Sequence, residues 1–142
     1  RLFCAGRSDL DSEGLVILTN DGNLSHRLTH PSHKTKKRYQ VELNRTLEKD
    51  DFHLLLNGFE VEGEFLKLDE IRSKSGTPVG SLKMEVFMSH GKKREIRRAF
   101  GMLKYRVKKL RRFAVGKLFL DGLPLGNYRE LQKKEIDLLL SG

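Results

Sequence analysis

Three carboxylates stand two residues apart in the loop Gly6-Arg7-Ser8-Asp9-Leu10-Asp11-Ser12-Glu13-Gly14. Carboxylates so placed can ligate a hard cation, hold a catalytic charge or shape a turn. The run superficially matches the opening of a calcium loop. The match fails at its twelfth position, where Asn20 stands in place of a bidentate Glu, and no helix precedes it. His26, His30 and His33 have near-helical spacing that could suggest zinc. Pro31 interrupts them, however, and no cysteine or carboxylate falls at ligand spacing beside them, so capping or phosphate contact is the better reading. Cys4 has no evident base partner and reads as a small core residue. No Gly-rich phosphate loop or Rossmann fingerprint is present, so neither a metal nor an organic cofactor is expected. What remains is Asp9, with Tyr39 and Arg97 as candidate neighbours. A sheltered carboxylate is costly unless a cation holds it ionised, which Arg97 would do. On the residues alone Asp9 is either a catalytic carboxylate or the cap of a turn, and the turn is the commoner use.

The elements that must carry these residues follow from pattern. The loop feeds an apolar run over 15–18 that is too short for a helix and ends in the turn signal Asn20-Asp21-Gly22. It reads as a buried strand, a rigid mount for a carboxylate. Residues 1–5 read as the end of an earlier strand. Residues 24–30 form a short helix stopped by Pro31, with Leu24 and Leu28 inward. Over 38–43, Tyr39, Val41 and Leu43 alternate with Arg38, Gln40 and Glu42, which predicts a half-buried strand with Tyr39 on its inner face. Thr46 is expected to cap a helix that runs through Leu56 and closes at Asn57-Gly58. Phe65, Leu68 and Ile71 mark a loosely patterned extended stretch, and Leu82, Met84, Val86 and Met88 a strictly alternating strand. A helix over 92–103 brings Ile96, Ala99, Phe100 and Leu103 to one face. A strand over 105–115 breaks phase between Val107 and Leu110. A short strand at 118–120 and a helix over 133–140 end the chain. Hairpin-linked strands with occasional helices predict an α+β fold, a mixed and largely antiparallel sheet with flanking helices, in one domain over 1–142.

Charge supplies the strongest compositional signal. The 142 residues carry 28 Lys and Arg against 19 Asp and Glu, a formal net charge of +9. Between Gly91 and Lys117 there are twelve basic residues and one acid, Glu95, so this block accounts for the whole excess. Lys92, Lys93, Arg94, Arg98, Lys104, Arg106, Lys108, Arg111 and Arg112 are its candidate nucleic-acid contacts. Interleaving with Phe100, Tyr105 and Phe113 makes a nucleic-acid face a better reading than a merely solvated one. Such contacts supply affinity and register rather than sequence choice. No apolar run reaches the roughly 20 residues of a membrane span. The single cysteine excludes an internal disulfide framework and fits a reducing compartment such as the cytoplasm. The absence of an initiator Met points to a piece of a longer protein.

Several of these pieces fall in a familiar order. Gly6-Arg7-Ser8-Asp9-Leu10-Asp11-Ser12-Glu13-Gly14-Leu15 and Thr19-Asn20-Asp21-Gly22 are followed by His26-Arg27-Leu28-Thr29-His30-Pro31 and Lys37-Arg38-Tyr39-Gln40-Val41. The order continues through Gly91 to Phe100, Leu110-Arg111-Arg112, and Leu123-Pro124-Leu125-Gly126-Asn127-Tyr128-Arg129-Glu130-Leu131. The chain thereby resembles the pseudouridine synthases of ribosomal RNA, in particular the small-ribosomal-subunit (RsuA-like) branch. The resemblance implies that Asp9 is the catalytic aspartate, Tyr39 the tyrosine that packs on the target base, and Arg97 the cation paired with the aspartate. It also assigns Leu110 and Arg7 to the substrate pocket. Ser8 stands where the family usually has Leu, Glu95 where it has Gln, and Ala99 where it has Met. The implied partner is ribosomal RNA, without a cofactor, in a monomer whose full-length form carries an N-terminal S4-like domain. The competing expectation is a non-enzymatic RNA-binding module that keeps the same fold.

Overall fold

In this computed structural model residues 2–5, 13–30, 35–89, 94–119, 122–124 and 126–140 are described. Among them the chain forms, in order, β1 (Phe3–Ala5), β2 (Glu13–Gly14), β3 (Ile17–Thr19), α1 (Gly22–Thr29) and β4 (Lys37–Leu43). Next come α2 (Lys49–Asn57), β5 (Phe59–Val61), β6 (Glu64–Leu66), β7 (Glu70–Arg72) and β8 (Lys83–Met88). The last elements are α3 (Glu95–Met102), β9 (Val107–Val115), β10 (Leu118–Phe119) and α4 (Lys133–Leu140). The main sheet runs β10-β9-β4-β8-β7 with antiparallel neighbours, and β2 joins β9 in parallel. β1 pairs with β3, and β5 with β6, as two small antiparallel sheets. The architecture is the expected α+β fold with a mixed, largely antiparallel sheet.

β4 and β9 form its spine. Val41 and Leu43 of β4 are buried while Gln40 and Glu42 take the opposite face, as period-2 alternation requires. β9 keeps step with them only through two register shifts, which leave Lys108 and Phe113 without a partner on β4. The first is the phase break read between Val107 and Leu110. Each bulge resets the alternation, so Val107, Leu110, Arg112 and Val115 share the face of Val41 and Leu43. On that inner face one apolar cluster gathers Val41, Leu43, Met88, Leu110, Ile96 and Phe100 under α3. A second, smaller one gathers Ile17, Leu28, Val115, Leu118 and Leu139 beneath α1 and α4.

Several expected boundaries shift, each for a physical reason. The run over 15–18 is not a strand buried on both faces. β3 pairs with β1 alone, so Ile17 is buried while Val16 is 44% and Leu18 is 59% exposed. Thr46 does not cap α2. Leu47 is buried with its backbone tied to Gly80 and Ser81, and the helix begins only after Glu48. The stretch marked by Phe65, Leu68 and Ile71 divides into β6 and β7, with Leu68 bonded back to Leu55 between them. Leu82 precedes β8 and is exposed. α3 starts at Glu95 because Arg94 adopts a left-handed conformation with φ 52. Lys92, Lys93, His33 and Leu120 lie outside the described residues, as does the side chain of Cys4.

Candidate active site

Along the inner face of β4 the residues run Leu43, Val41, Tyr39, Lys37, and their β9 partners run Val107, Leu110, Arg112, Val115. The face is apolar at its first two pairs and turns polar at the third, Tyr39 opposite Arg112. Lys37 follows beside Val115. Tyr39 is half-buried and packs against the first cluster, whereas Val115 belongs to the second. Tyr39, Arg112 and Lys37 thus occupy the seam between the two cores.

The loop that carries Arg7 and Asp9 lies outside the described residues, but its two ends are fixed, one beside the second core and one at this seam. On the entry side Ala5 of β1 pairs with Ile17, a member of the second cluster. On the exit side β2 lies along β9, Glu13 opposite Arg111 and Gly14 opposite Arg112. Leu15 N–H donates to the Arg112 carbonyl at 2.8 Å, and Arg112 Nε returns a bond to the Leu15 carbonyl at 2.8 Å. Gly14 makes this approach possible. Its φ is +114, and a Cβ there would lie 2.2 Å from the Arg112 carbonyl oxygen. Arg112, read from sequence as a surface contact for RNA, is only 7% exposed and works as a strut for the loop.

Arg97 projects from α3 and donates through Nη1 to the Val107 carbonyl at 3.0 Å, which fixes its guanidinium over the start of β9. Leu110, three residues on, is buried in the cluster that Tyr39 packs against. Tyr39 and Leu110 therefore share the inner face, and Arg97 reaches β9 at Val107. The contact of Arg97 with Asp9 falls on residues not described. Two departures from the family pattern are accommodated: Glu95 is buried at the first turn of α3 and accepts from Lys67 N–H at 3.4 Å, and Ala99 is buried in the core.

The basic block does not form one patch. Arg98 forks onto Glu64 at 3.0 and 3.4 Å, which neutralises it. Arg111 lies on the outer face of the sheet, donating to Gln40 at 3.2 Å. There it lines a groove of about 790 Å³ with Glu13, Glu42, Lys83, Glu85 and Lys109, on the side away from Tyr39. Lys104, Arg106 and Lys108 are exposed around the turn from α3 into β9, and Arg94 is half-exposed ahead of α3.

Lys37 was missed as a site residue. It could have been found from its spacing, since position i−2 from Tyr39 falls on the same face of a strand. It is half-buried, and burial followed by the nearby Arg112 guanidinium holds its ammonium below the usual lysine range. Among the described residues no cluster of His, Cys, Asp and Glu could hold a metal ion, and no helix is long and apolar enough to cross a membrane.

The fold and this seam define a class already known. Residues 1–101 match the RNA pseudouridylate synthase family, and the chain belongs to it. It is 35% identical over 139 residues to a ribosomal small subunit pseudouridine synthase A of Vibrio parahaemolyticus, covering 96% of this chain and 58% of the relative. It is 33% identical over 140 residues to a ribosomal large subunit pseudouridine synthase B of Pseudomonas aeruginosa, covering 98% of this chain and 36% of the relative. A crystal structure of a pseudouridylate synthase superposes with TM-score 0.87 at 33% identity, over 97% of this chain and 59% of that one. The chain thus spans between about a third and three fifths of these proteins.

Proposed function

We propose that this chain is the catalytic part of an RNA pseudouridine synthase that isomerises a uridine of ribosomal RNA. The observation that carries the reading is the placement, in a chain of this family, of Tyr39 and Leu110 on the inner face of β4 and β9, with Arg97 reaching β9 at Val107 and the exit of the Asp9 loop bonded to Arg112 opposite Tyr39. The reaction breaks the N1–C1′ bond of uridine, turns the uracil and joins C5 to C1′. The C5 proton leaves and N1 gains one, so atoms and charge balance without an oxidant.

Each residue has a distinct task. The target base must leave its stack, and the Tyr39 ring offers a flat face to receive it while Leu110 closes the apolar floor. Arg97 keeps the Asp9 carboxylate ionised and aimed. Asp9 attacks C1′ or removes the 2′ proton, and either step releases the uracil. Tyr39 stands ready to take the C5 proton in the last step.

Tritium release from ribosomal RNA labelled with [5-³H]uridine tests the proposal. Asp9→Asn should abolish release while RNA binding persists. Release at the wild-type rate in that variant would overturn the assignment. Salt-sensitive RNA binding without release by the wild-type protein would favour a binding module instead.

A further inference from the structure

The polar row at the seam holds two cations and no acid among the described residues. Arg112 spends Nε on the Leu15 carbonyl, and its terminal nitrogens make no hydrogen bond among the described residues. The Lys37 ammonium makes none at all there, although the residue is half-buried. The residues opposite Lys37 are Met88 on β8 and Val115 on β9, both buried and apolar, so Arg112 is the charged group that faces it among the described residues. Two adjacent cations with unused donors, partly removed from water, repel one another until an anion lies between them. Tyr39 shares the face on one side, and the exit of the Asp9 loop on the other.

On this geometry we infer that Lys37 and Arg112 form a seat for a phosphodiester group flanking the target nucleotide. The inference rests on the functional reading above and adds to it a fixed point for the backbone. A base held by stacking alone can slide. One phosphate clamped two residues along the strand from Tyr39 would set how far the ribose enters, and so where C1′ meets the Asp9 loop. Arginine supplies a planar fork and lysine a mobile point charge, a combination suited to a phosphate approached from two sides.

The test uses uridine 3′,5′-bisphosphate, uridine and inorganic phosphate, followed by NMR of the lysine side chains and by calorimetry. The bisphosphate and inorganic phosphate should shift the Lys37 Cε resonance and raise its titration midpoint, whereas uridine should not. Lys37→Met should bind the bisphosphate about tenfold more weakly, as expected for one lost charge-assisted contact, and Lys37→Arg should recover most of that. Thermal unfolding separates the seat from a structural ion pair: Lys37→Met relieves a buried like charge and should leave the melting temperature equal or higher. A lowered melting temperature with unchanged bisphosphate affinity would overturn the seat. If phosphate-dependent shifts persist but the wild-type protein releases no tritium from ribosomal RNA, the functional reading falls while the seat stands.

Discussion

Replacing Gly14 with Ala should release one end of the loop that carries Asp9. A Cβ at this position would lie 2.2 Å from the Arg112 carbonyl oxygen and 2.5 Å from its nitrogen, on a backbone with φ +114. Both obstacles are backbone atoms of the sheet's longest strand, so neither can swing aside. The variant then has two choices. It can keep the contact and bear overlap as well as strain, which at such φ alone costs about 1–3 kcal/mol. Otherwise β2 detaches, giving up the Leu15–Arg112 backbone bond, about 1 kcal/mol, and the charged Arg112 Nε bond to Leu15, about 1.5–3 kcal/mol. Detachment is the cheaper route, so urea unfolding should show a loss of about 3 kcal/mol. Hydrogen exchange should report rapid loss of protection at the Leu15 amide. With the loop exit free, tritium release should fall about a hundredfold, the usual effect of displacing a catalytic group by roughly 1 Å.

Two further glycines isolate the terms. Gly63, at φ +82 in the turn between β5 and β6, has nothing within 4 Å of where a Cβ would stand, so Gly63→Ala measures backbone strain alone, about 1 kcal/mol. Gly22, the first residue of α1, has neither positive φ nor a neighbour within 4 Å, and Gly22→Ala should stabilise by about 0.5 kcal/mol. If Gly14→Ala unfolds like Gly63→Ala and keeps Leu15 protected, the close approach of β2 to β9 is not what holds the loop.

Other consequences follow from single contacts. Arg98→Ala should leave the salt dependence of RNA binding nearly unchanged because Glu64 already neutralises that cation, whereas Arg106→Ala or Lys108→Ala should each flatten the log–log slope by about 1. Tyr105→Phe removes a hydroxyl that donates to Asp51 at 2.7 Å and accepts from Glu48 N–H at 2.9 Å; urea unfolding should show a loss of about 1–2 kcal/mol while the Arg45 stack on the ring survives. Glu135, gripped by Arg129 and bonded to Gln132 N–H at the start of α4, is held down to about 2. Its folded value lies below its unfolded one, so its contribution is present above pH 4.5 and fades as pH falls toward about 2. NMR titration should place its midpoint there, and Arg129→Met should raise it toward the ordinary glutamate range, with the Gln132 N–H bond still holding it below.

Where local pattern decided the outcome, the fold was readable. Strict alternation in Met84, Val86 and Met88 located β8, and an amphipathic run located α4 at Lys133–Leu140. Where a distant partner decided, pattern misled. An aliphatic run such as Leu15 to Leu18 says only that the chain is extended; whether one face or two is covered depends on which strands flank it, and β3 has β1 alone. Thr46 has the chemistry of a cap, but Gly80 and Ser81, more than thirty residues away, claim the backbone at Leu47 first. Left-handed Arg94 likewise moves the start of α3, because intrinsic helix preference is weaker than the local turn.

The basic block shows most clearly what composition conceals. Net charge treats its members as equivalent, yet strand phase assigns them different work. Between the bulges at Lys108 and Phe113, Leu110 and Arg112 fall on the inner face, so Arg112 points among apolar side chains while Arg111 and Lys109 point the other way. That inward position was legible from Leu110 and Arg112 standing two apart; the strut to Leu15 was not, since it closes over nearly a hundred residues. A buried arginine in a nucleic-acid-binding chain therefore need not be a spare phosphate contact. Here it serves the loop with one nitrogen, while its terminal donors and the nearby Lys37 ammonium have no hydrogen-bond partner among the described residues. On the readings proposed above, the exposed cations around the turn into β9 supply RNA affinity, and Lys37 and Arg112 set the register of the reacting nucleotide. Salt dependence reads the first group, and the kinetics of isomerisation at saturating RNA read the second.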